Sequence, residues 1–350
     1  MITIDGRQIG KGHPTYIVAE ISGNHHQDFE QAVDLVRAAK RAGADAVKLQ
    51  TYTADTMTID SDAPLFRLGS DSAWAGRTLY DLYEEAHTPW EWHAPLQQVA
   101  AEEGIAFFST PFDETAVDFL ESLSVPAYKI ASFELVDTPL LERVARTGKP
   151  VILSTGLATA IEIEEAVGAL RGEGCDHIVL LRCASAYPAR PADVHLAAMN
   201  TLAREFNVDV GLSDHSMDPA VAIAAAALGA CLIEKHFILN RAQGGPDAAF
   251  SLEPNELAAL VRQIRAAEQA IGPDDRIPGA TEPEKSNLMV RRSLFAVADI
   301  EAGEPFTRDN VRALRPGYGL PPKHLPDVLG KPAATRIARG TPLAWELVGR

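Results

Sequence analysis

Two lysines and two histidines, Lys48, Lys129, His215 and His236, carry most of the chemical potential of this sequence. Each sits at the end of a short apolar run, and each run brings other polar groups with it. Glu20 lies in the first run, and Gln50 ends the second beside Lys48. Thr110 follows the third; Ser132 and Glu134 follow Lys129 in the fourth. Ser154 ends the fifth, Ser185 and Tyr187 follow the sixth, and Ser213 precedes His215 in the seventh. Lysine supplies a point charge, while hydroxyls supply directed hydrogen bonds. Two lysines among hydroxyls therefore suit a small molecule carrying both a phosphate and a carboxylate. Two imidazoles on adjacent strands, completed by carboxylate, water or substrate oxygens, suit a divalent ion such as Mn²⁺, with Mg²⁺ and Co²⁺ as alternatives. Glu20 and Glu134 are candidates for proton transfer or for holding sugar hydroxyls, with proton affinities set by neighbouring charges. The competing reading is structural: each lysine paired with an acidic neighbour, each histidine hydrogen-bonded in the wall. Several such groups at one end of the same set of strands favour a site.

The elements that must position them repeat. Apolar runs fall at Tyr16–Ile21, Ala46–Gln50, Ile105–Ser109, Ala127–Ile130, Val151–Ser154, Ile178–Arg182, Val208–Leu212 and Leu232–His236. They lack polar alternation, as parallel strands covered on both faces do. Helical patterns fill the gaps. Asp28 is placed to cap a helix reaching Arg41, Thr159 and Glu162 form a capping box, and Thr138-Pro139 and Asp218-Pro219 mark helix starts. Gly43, Gly104, Gly148 and Gly229 mark helix ends. Eight such units predict an α/β fold, a (β/α)8 TIM barrel, whose catalytic groups gather at the C-terminal ends of the strands. A doubly wound sheet is the alternative, weakened by the absence of G-x-G-x-x-G after the first run. The connection from Thr51 to about Tyr83 is long enough to form a lid or substrate wall. Trp74, Trp90 and Trp92 read as packing groups, and His25 and His26 as contacts or caps in the first connection.

The expected domains are a catalytic barrel over 1–271, a linker over 272–288 and a small, mostly β domain over 289–350. The formal net charge of −16 disfavours a nucleic-acid partner. No run reaches the about 20 apolar residues a membrane-crossing helix needs. The three cysteines are sparse and unpaired in spacing, and the N-terminus lacks a signal-peptide pattern, so the expected location is the cytoplasm.

At these same motifs the chain resembles the sialic acid synthase family. The matching stretches are IVAEISGNHHQD, GADAVKLQTY, FFSTPFD, YKIASFE, PVILSTG, CASAYP, VGLSDHS, GACLIEKHF and GGPDAAFSLEP, and the tail, with RRSLF, AGE and RPGYGL, resembles the antifreeze-like (SAF) domain. Within the family, TYTADTMTID, DLYEEAHTPWEWH and FFSTPFDETAVDFLE resemble the pseudaminic acid synthase branch, with sialic and legionaminic acid synthases as competitors. The resemblance implies a condensation of phosphoenolpyruvate with 2,4-diacetamido-2,4,6-trideoxy-L-altrose that releases phosphate by C–O cleavage. It places phosphoenolpyruvate on Lys48, Thr110, Lys129, Ser132, Ser154, Ser185 and Ser213, and the metal on His215 and His236. It places the sugar on Glu20, Gln50, Tyr187 and Asp247, with Glu134 as the proton-transfer group. It also implies a domain-swapped homodimer in which Arg315 reaches the partner's active site. Sialic acid synthases tend to carry asparagine where Ser185 stands. A 3-deoxy-octulosonate or heptulosonate synthase is a rival that the tail domain argues against. A non-catalytic sugar-binding barrel is the rival from another class.

Overall fold

A computed structural model describes residues 2–69, 74–272 and 279–350. Residues 70–73 of the long connection and 273–278 of the expected linker lie outside the described residues. The chain divides into two compact units, Met1–Gly272 and Pro273–Arg350.

In the first unit a hairpin, β1 (Ile2–Ile4) and β2 (Arg7–Ile9), precedes the repeating part. Its turn is Asp5-Gly6, both at positive φ, the dipeptide that fits a tight two-residue hairpin. This hairpin went unread in the sequence, although ITIDGRQI carries that signal. Ile2, Ile4 and Ile9 join the main core, and Arg7 pairs with Asp45 at the start of a barrel strand. The hairpin thus closes the end of the barrel opposite the expected site.

Eight strands follow: β3 (Tyr16–Glu20), β4 (Ala46–Thr51), β5 (Ala106–Pro111), β6 (Tyr128–Ile130), β7 (Val151–Ser154), β8 (Ile178–Cys183), β9 (Asp209–Asp214) and β10 (Leu232–His236). They form a closed parallel barrel in sequence order, with β10 pairing β3. The expected runs match these strands to within one or two residues. The strands are almost wholly buried, as their unbroken apolar character requires.

Capping chemistry sets the helices between them. Asp28 accepts hydrogen bonds from the Glu30 and Gln31 amides at the head of helix Phe29–Ala42, which ends on left-handed Gly43. Thr159 and Glu162 form the reciprocal box at the head of Ala160–Gly172. One expected cap is displaced. Asp137, not Thr138, accepts from the Leu140 amide, because Pro139 is the second helical residue and the cap falls one place earlier. A helix at Pro254–Ile271 completes the first unit.

In the second unit, Glu282–Lys285 and Ser286–Val290 make short helical turns within the stretch read as linker. Beyond them β11 (Ser293–Ala296) and β12 (Val311–Leu314) pair antiparallel. Isolated bridges and turns surround a separate core that includes Leu294, Phe306, Val328, Ile337 and Leu343. Among the described residues, no helix is long and apolar enough to cross a membrane.

Candidate active site

The C-terminal ends of the barrel strands open into a cavity of about 390 Å³, within the range of small-molecule sites. Thirteen of the fifteen candidate residues line it: Glu20, Lys48, Gln50, Thr110, Lys129, Ser132, Glu134, Ser154, Tyr187, Ser213, His215, His236 and Asp247. Ser185 stands just behind the wall, its side chain against Gly156 and 3.8 Å from the Cys183 thiol. Arg315 belongs to the second unit, where it is exposed.

The cavity floor is a buried charge network. Lys48 pairs with Glu20 and donates to Thr110 Oγ1 at 2.9 Å. Lys129 donates to Ser154 Oγ at 2.7 Å and to the Ile130 carbonyl at 3.0 Å. Between the two ammonium groups lies Glu234, whose Oε1 is 3.8 Å from Lys48 Nζ and 3.9 Å from Lys129 Nζ. Ser213 Oγ donates to the same carboxyl at 3.4 Å, and Gln50 donates to Glu20 Oε1 at 3.1 Å. Each lysine therefore has an acidic neighbour, and each also faces the cavity.

Burial and the mutual charges of the network together set the protonation of this floor. Burial raises Glu20 to about 7 even though Lys48 pulls the other way. For Glu234 burial also acts upward, but Lys129 and Lys48 together prevail and hold the carboxyl below its ordinary range. Lys129 is lowered by burial, against the pull of Glu234. Lys48 is also desolvated, but Glu20 and Glu234 overcome this and raise it. Glu134, on the loop after β6, is pushed up to about 7 chiefly by burial. Oε2 of Glu134 and Oε2 of Glu234 are buried without a hydrogen-bond partner. Buried acceptors left open on a cavity wall are groups that a ligand can satisfy.

His215, just beyond the end of β9, and His236, the last residue of β10, converge, with ring centres 5.3 Å apart. His215 Nδ1 meets the Ala184 carbonyl at 3.0 Å, and His236 Nδ1 meets Ser22 Oγ at 3.3 Å. Both rings are thus anchored through Nδ1, the arrangement by which outer partners orient metal-binding imidazoles. Asp247 Oδ2 lies 3.8 Å from His236 Nδ1. Burial, helped by the nearby charges of His215 and Lys48, holds His236 well below its usual range and so favours the unprotonated ring. His215 behaves differently: burial opposes its proton, but the Cys183 thiol and the Ala184 carbonyl favour it and prevail. Among the described residues, no three His, Cys, Asp or Glu side chains form a closed metal cluster. The donor set fits a divalent ion with an open coordination sphere and does not fit a structural zinc site.

The opposite wall is apolar and comes largely from the long connection after β4. Tyr52, Met57, Leu68, Trp74, Leu79, Leu82, Tyr83 and Ala86 all face the cavity. Trp74 corrects one expectation. It leans on Tyr187 with ring centres 5.7 Å apart, and its Nε1 donates to the Pro246 carbonyl at 2.8 Å. Trp90 and Trp92 do pack as expected, against Phe119 and against His25 and Phe29. His25 is wholly buried and bonds Thr88 at 3.1 Å, away from the cavity. His26 lies against Gly245.

Two further residues belong to the site without a role assigned from sequence. Glu234 is legible as a strand-end carboxylate just before Lys235, but only the barrel register shows that it bridges both lysines. Gly156 gives its amide to Ser132 Oγ at 3.1 Å. A Cβ there would lie 2.2 Å from Ser185 Oγ and 2.7 Å from Ser132 Oγ, so any larger residue displaces both hydroxyls.

The NeuB family profile matches residues 35–276, and the SAF domain profile matches residues 291–348. The chain is 43% identical to the pseudaminic acid synthase of Helicobacter pylori over 96% of this chain and 98% of that protein. It is 37% identical to the N,N'-diacetyllegionaminic acid synthase of Legionella pneumophila, covering 96% of this chain and 95% of the other. A crystal structure of the N-acetylneuraminic acid synthetase of Leptospira borgpetersenii superposes with a TM-score of 0.73 at 32% identity, over 82% of this chain and 95% of that one. With a closed barrel, a rim of lysines, hydroxyls and histidines, and a C-terminal SAF domain, the chain belongs to the NeuB family.

Proposed function

We propose that the chain is a pseudaminic acid synthase, condensing phosphoenolpyruvate with 2,4-diacetamido-2,4,6-trideoxy-L-altrose and water to give pseudaminic acid and phosphate. The observation that carries this reading is the pairing of two buried ammonium groups around one carboxylate with two converging imidazoles across a single cavity. The greater identity to a pseudaminic acid synthase than to a legionaminic acid synthase favours this acceptor.

Lys48 and Lys129, with Thr110, Ser132, Ser154, Ser185 and Ser213, hold the phosphate and carboxylate of phosphoenolpyruvate. Because Glu20 titrates near neutrality, it can take a proton as the anion arrives, which limits the excess of negative charge. Gln50, Tyr187 and Asp247 face the sugar. A divalent cation, Mn²⁺ foremost, held by His215 and His236, would supply a Lewis acid for the aldehyde oxygen. A bond forms between C3 of phosphoenolpyruvate and the aldehyde carbon, and Glu134 gives its proton to the oxygen that becomes a hydroxyl. Water adds at C2 and gives one proton back to Glu134; the bond from C2 to the phosphate oxygen then breaks, the second proton leaves with phosphate, and C2 becomes the ketone. The site's main work is to align two substrates and match the charge that moves between them.

A substrate panel with phosphoenolpyruvate tests this reading. Phosphate release is expected with the altrose derivative in preference to N-acetylmannosamine and the legionaminic precursor. With ¹⁸O at the bridging position of phosphoenolpyruvate, the label is expected in phosphate. Preference for another sugar sinks the acceptor assignment, and label in the sugar sinks C–O cleavage.

The proposal extends to a domain-swapped homodimer in the cytoplasm, with Arg315 of one protomer serving the partner's cavity. Leu314, Arg315 and Tyr318 are all exposed on the second unit. Mixing inactive Arg315→Ala with inactive Lys129→Met chains under exchange conditions is then expected to restore turnover that neither shows alone. Failure to restore it after verified exchange counts against service in trans.

A further inference from the structure

Two of the most deeply buried charges in the barrel are not in the cavity. Side chains alternate along a strand, so Ser213 and Glu234 face inward while Asp214 and Lys235, their neighbours in register, face the helical layer. The side chain of Asp214 is 0% exposed and that of Lys235 is 2% exposed, and they pair at 3.0 Å. A buried ion pair in this layer is poor value as a stability device, because apolar residues of like volume usually serve as well or better. Its hydrogen bonds suggest a different use. Asp214 Oδ1 accepts from the Ser216 amide at 2.9 Å, and Lys235 Nζ donates to the Ser216 carbonyl. Both peptide groups of Ser216 are therefore held by the pair, one residue beyond His215. Lys235 itself is one residue before His236. The pair thus ties the backbone on both sides of His215 to the strand that carries His236.

We propose that Asp214 and Lys235 act as a positioning clamp that fixes the spacing of the His215 and His236 imidazoles, and through it the affinity of the site for a divalent cation. This rests on reading those histidines as ligands. Apolar packing could fill the same volume, but it could not grip the two peptide groups of Ser216.

The test uses the full chain with histidine rings labelled at Cε1 and Mn²⁺ alone as the probe. Of the ten histidines, the signals of His215 and His236 are assigned through His215→Gln and His236→Gln. Lys235→Met leaves Asp214 unpaired, so the decisive variant is the neutral double, Asp214→Asn with Lys235→Met. In that variant the two assigned signals are expected to move while the other eight stay. Its Mn²⁺ dissociation constant is expected to rise by about 10- to 100-fold, as loss of an outer partner does, while phosphoenolpyruvate affinity changes little. A folded double variant with both signals unmoved overturns the clamp. So does a shift spread over all ten rings, or a variant that does not fold, since either makes the pair merely structural. Failure of the ligand reading is separately visible: Mn²⁺ added to the parent chain would then broaden neither assigned signal.

Discussion

Lys129→Met is expected to lower kcat/KM for phosphoenolpyruvate by about three orders of magnitude, equivalent to about 4 kcal/mol of lost transition-state stabilisation. Methionine keeps the length and apolar stem of the side chain, so the change removes the charge and its donors with little change of volume. In the parent, Lys129 is 2% exposed and its ammonium donates to Ser154 and Ile130 while facing Glu234. An ammonium so enclosed is strongly felt by an anion that joins it, because little water screens the interaction. Its loss also takes from Glu234 one of the two lysines that flank it, so incoming phosphate and carboxylate meet a floor that repels them. Stability is expected to fall as well, because removing one member of a buried charge network leaves the remainder uncompensated. Thermal unfolding of the purified variant separates the two effects. A folded Lys129→Met chain with kcat/KM within about tenfold of the parent contradicts the anion-binding role.

Glu134→Gln is expected to reduce kcat by about 10²- to 10⁴-fold near neutral pH, the range for a positioned proton-transfer group. The pH dependence carries more information than the loss. Burial raises the Glu134 carboxyl from an ordinary 4.5 to about 7, so it still holds a proton where an exposed glutamate would not. As a proton donor it is spent as the pH climbs, so kcat of the parent is expected to fall through a limb near pH 7 that the glutamine variant lacks. The same shift has a stability consequence that runs the same way with pH. The folded chain binds this proton more tightly than the unfolded chain, so its contribution is favourable at low pH. That contribution is lost as the pH rises from about 4.5 to about 7, by on the order of 3 kcal/mol at most. Glu134→Gln should therefore unfold at higher temperature than the parent at pH 8, with the advantage vanishing at pH 4.5. A surviving limb near pH 7 in the variant reassigns the proton to another group, with Glu20 the first to test.

The barrel was legible because parallel strands buried on both faces must be continuously apolar, and because each helix carries its own start and stop signals. Asp28, Thr159 and Asp218 cap as their types dictate. The site was legible to the extent that polar residues ending apolar strands have one place to go. What stayed hidden depends on register and on side-chain direction. Glu234 and Lys235 are adjacent in sequence and alike in polarity, yet one bridges the cavity lysines and the other points into the helical layer. Trp74 sits in a segment with no periodicity, so nothing local separates an indole that lines a cavity from one that packs a helix. Gly156 is identified by the space it leaves between two serines from other loops, a property of the assembled site.

The bond-making groups are mounted on eight different strands and their loops, whereas much of the greasy side of the chamber is furnished by one excursion of the chain between Tyr52 and Ala86. Apolar recognition is therefore concentrated in one stretch of the gene, while the polar groups proposed to meet the sugar, Gln50, Tyr187 and Asp247, lie outside it. Rewriting that single excursion is expected to change which acylated or deoxygenated face of a sugar finds apolar cover, because the lysines and histidines of the strand ends lie outside it.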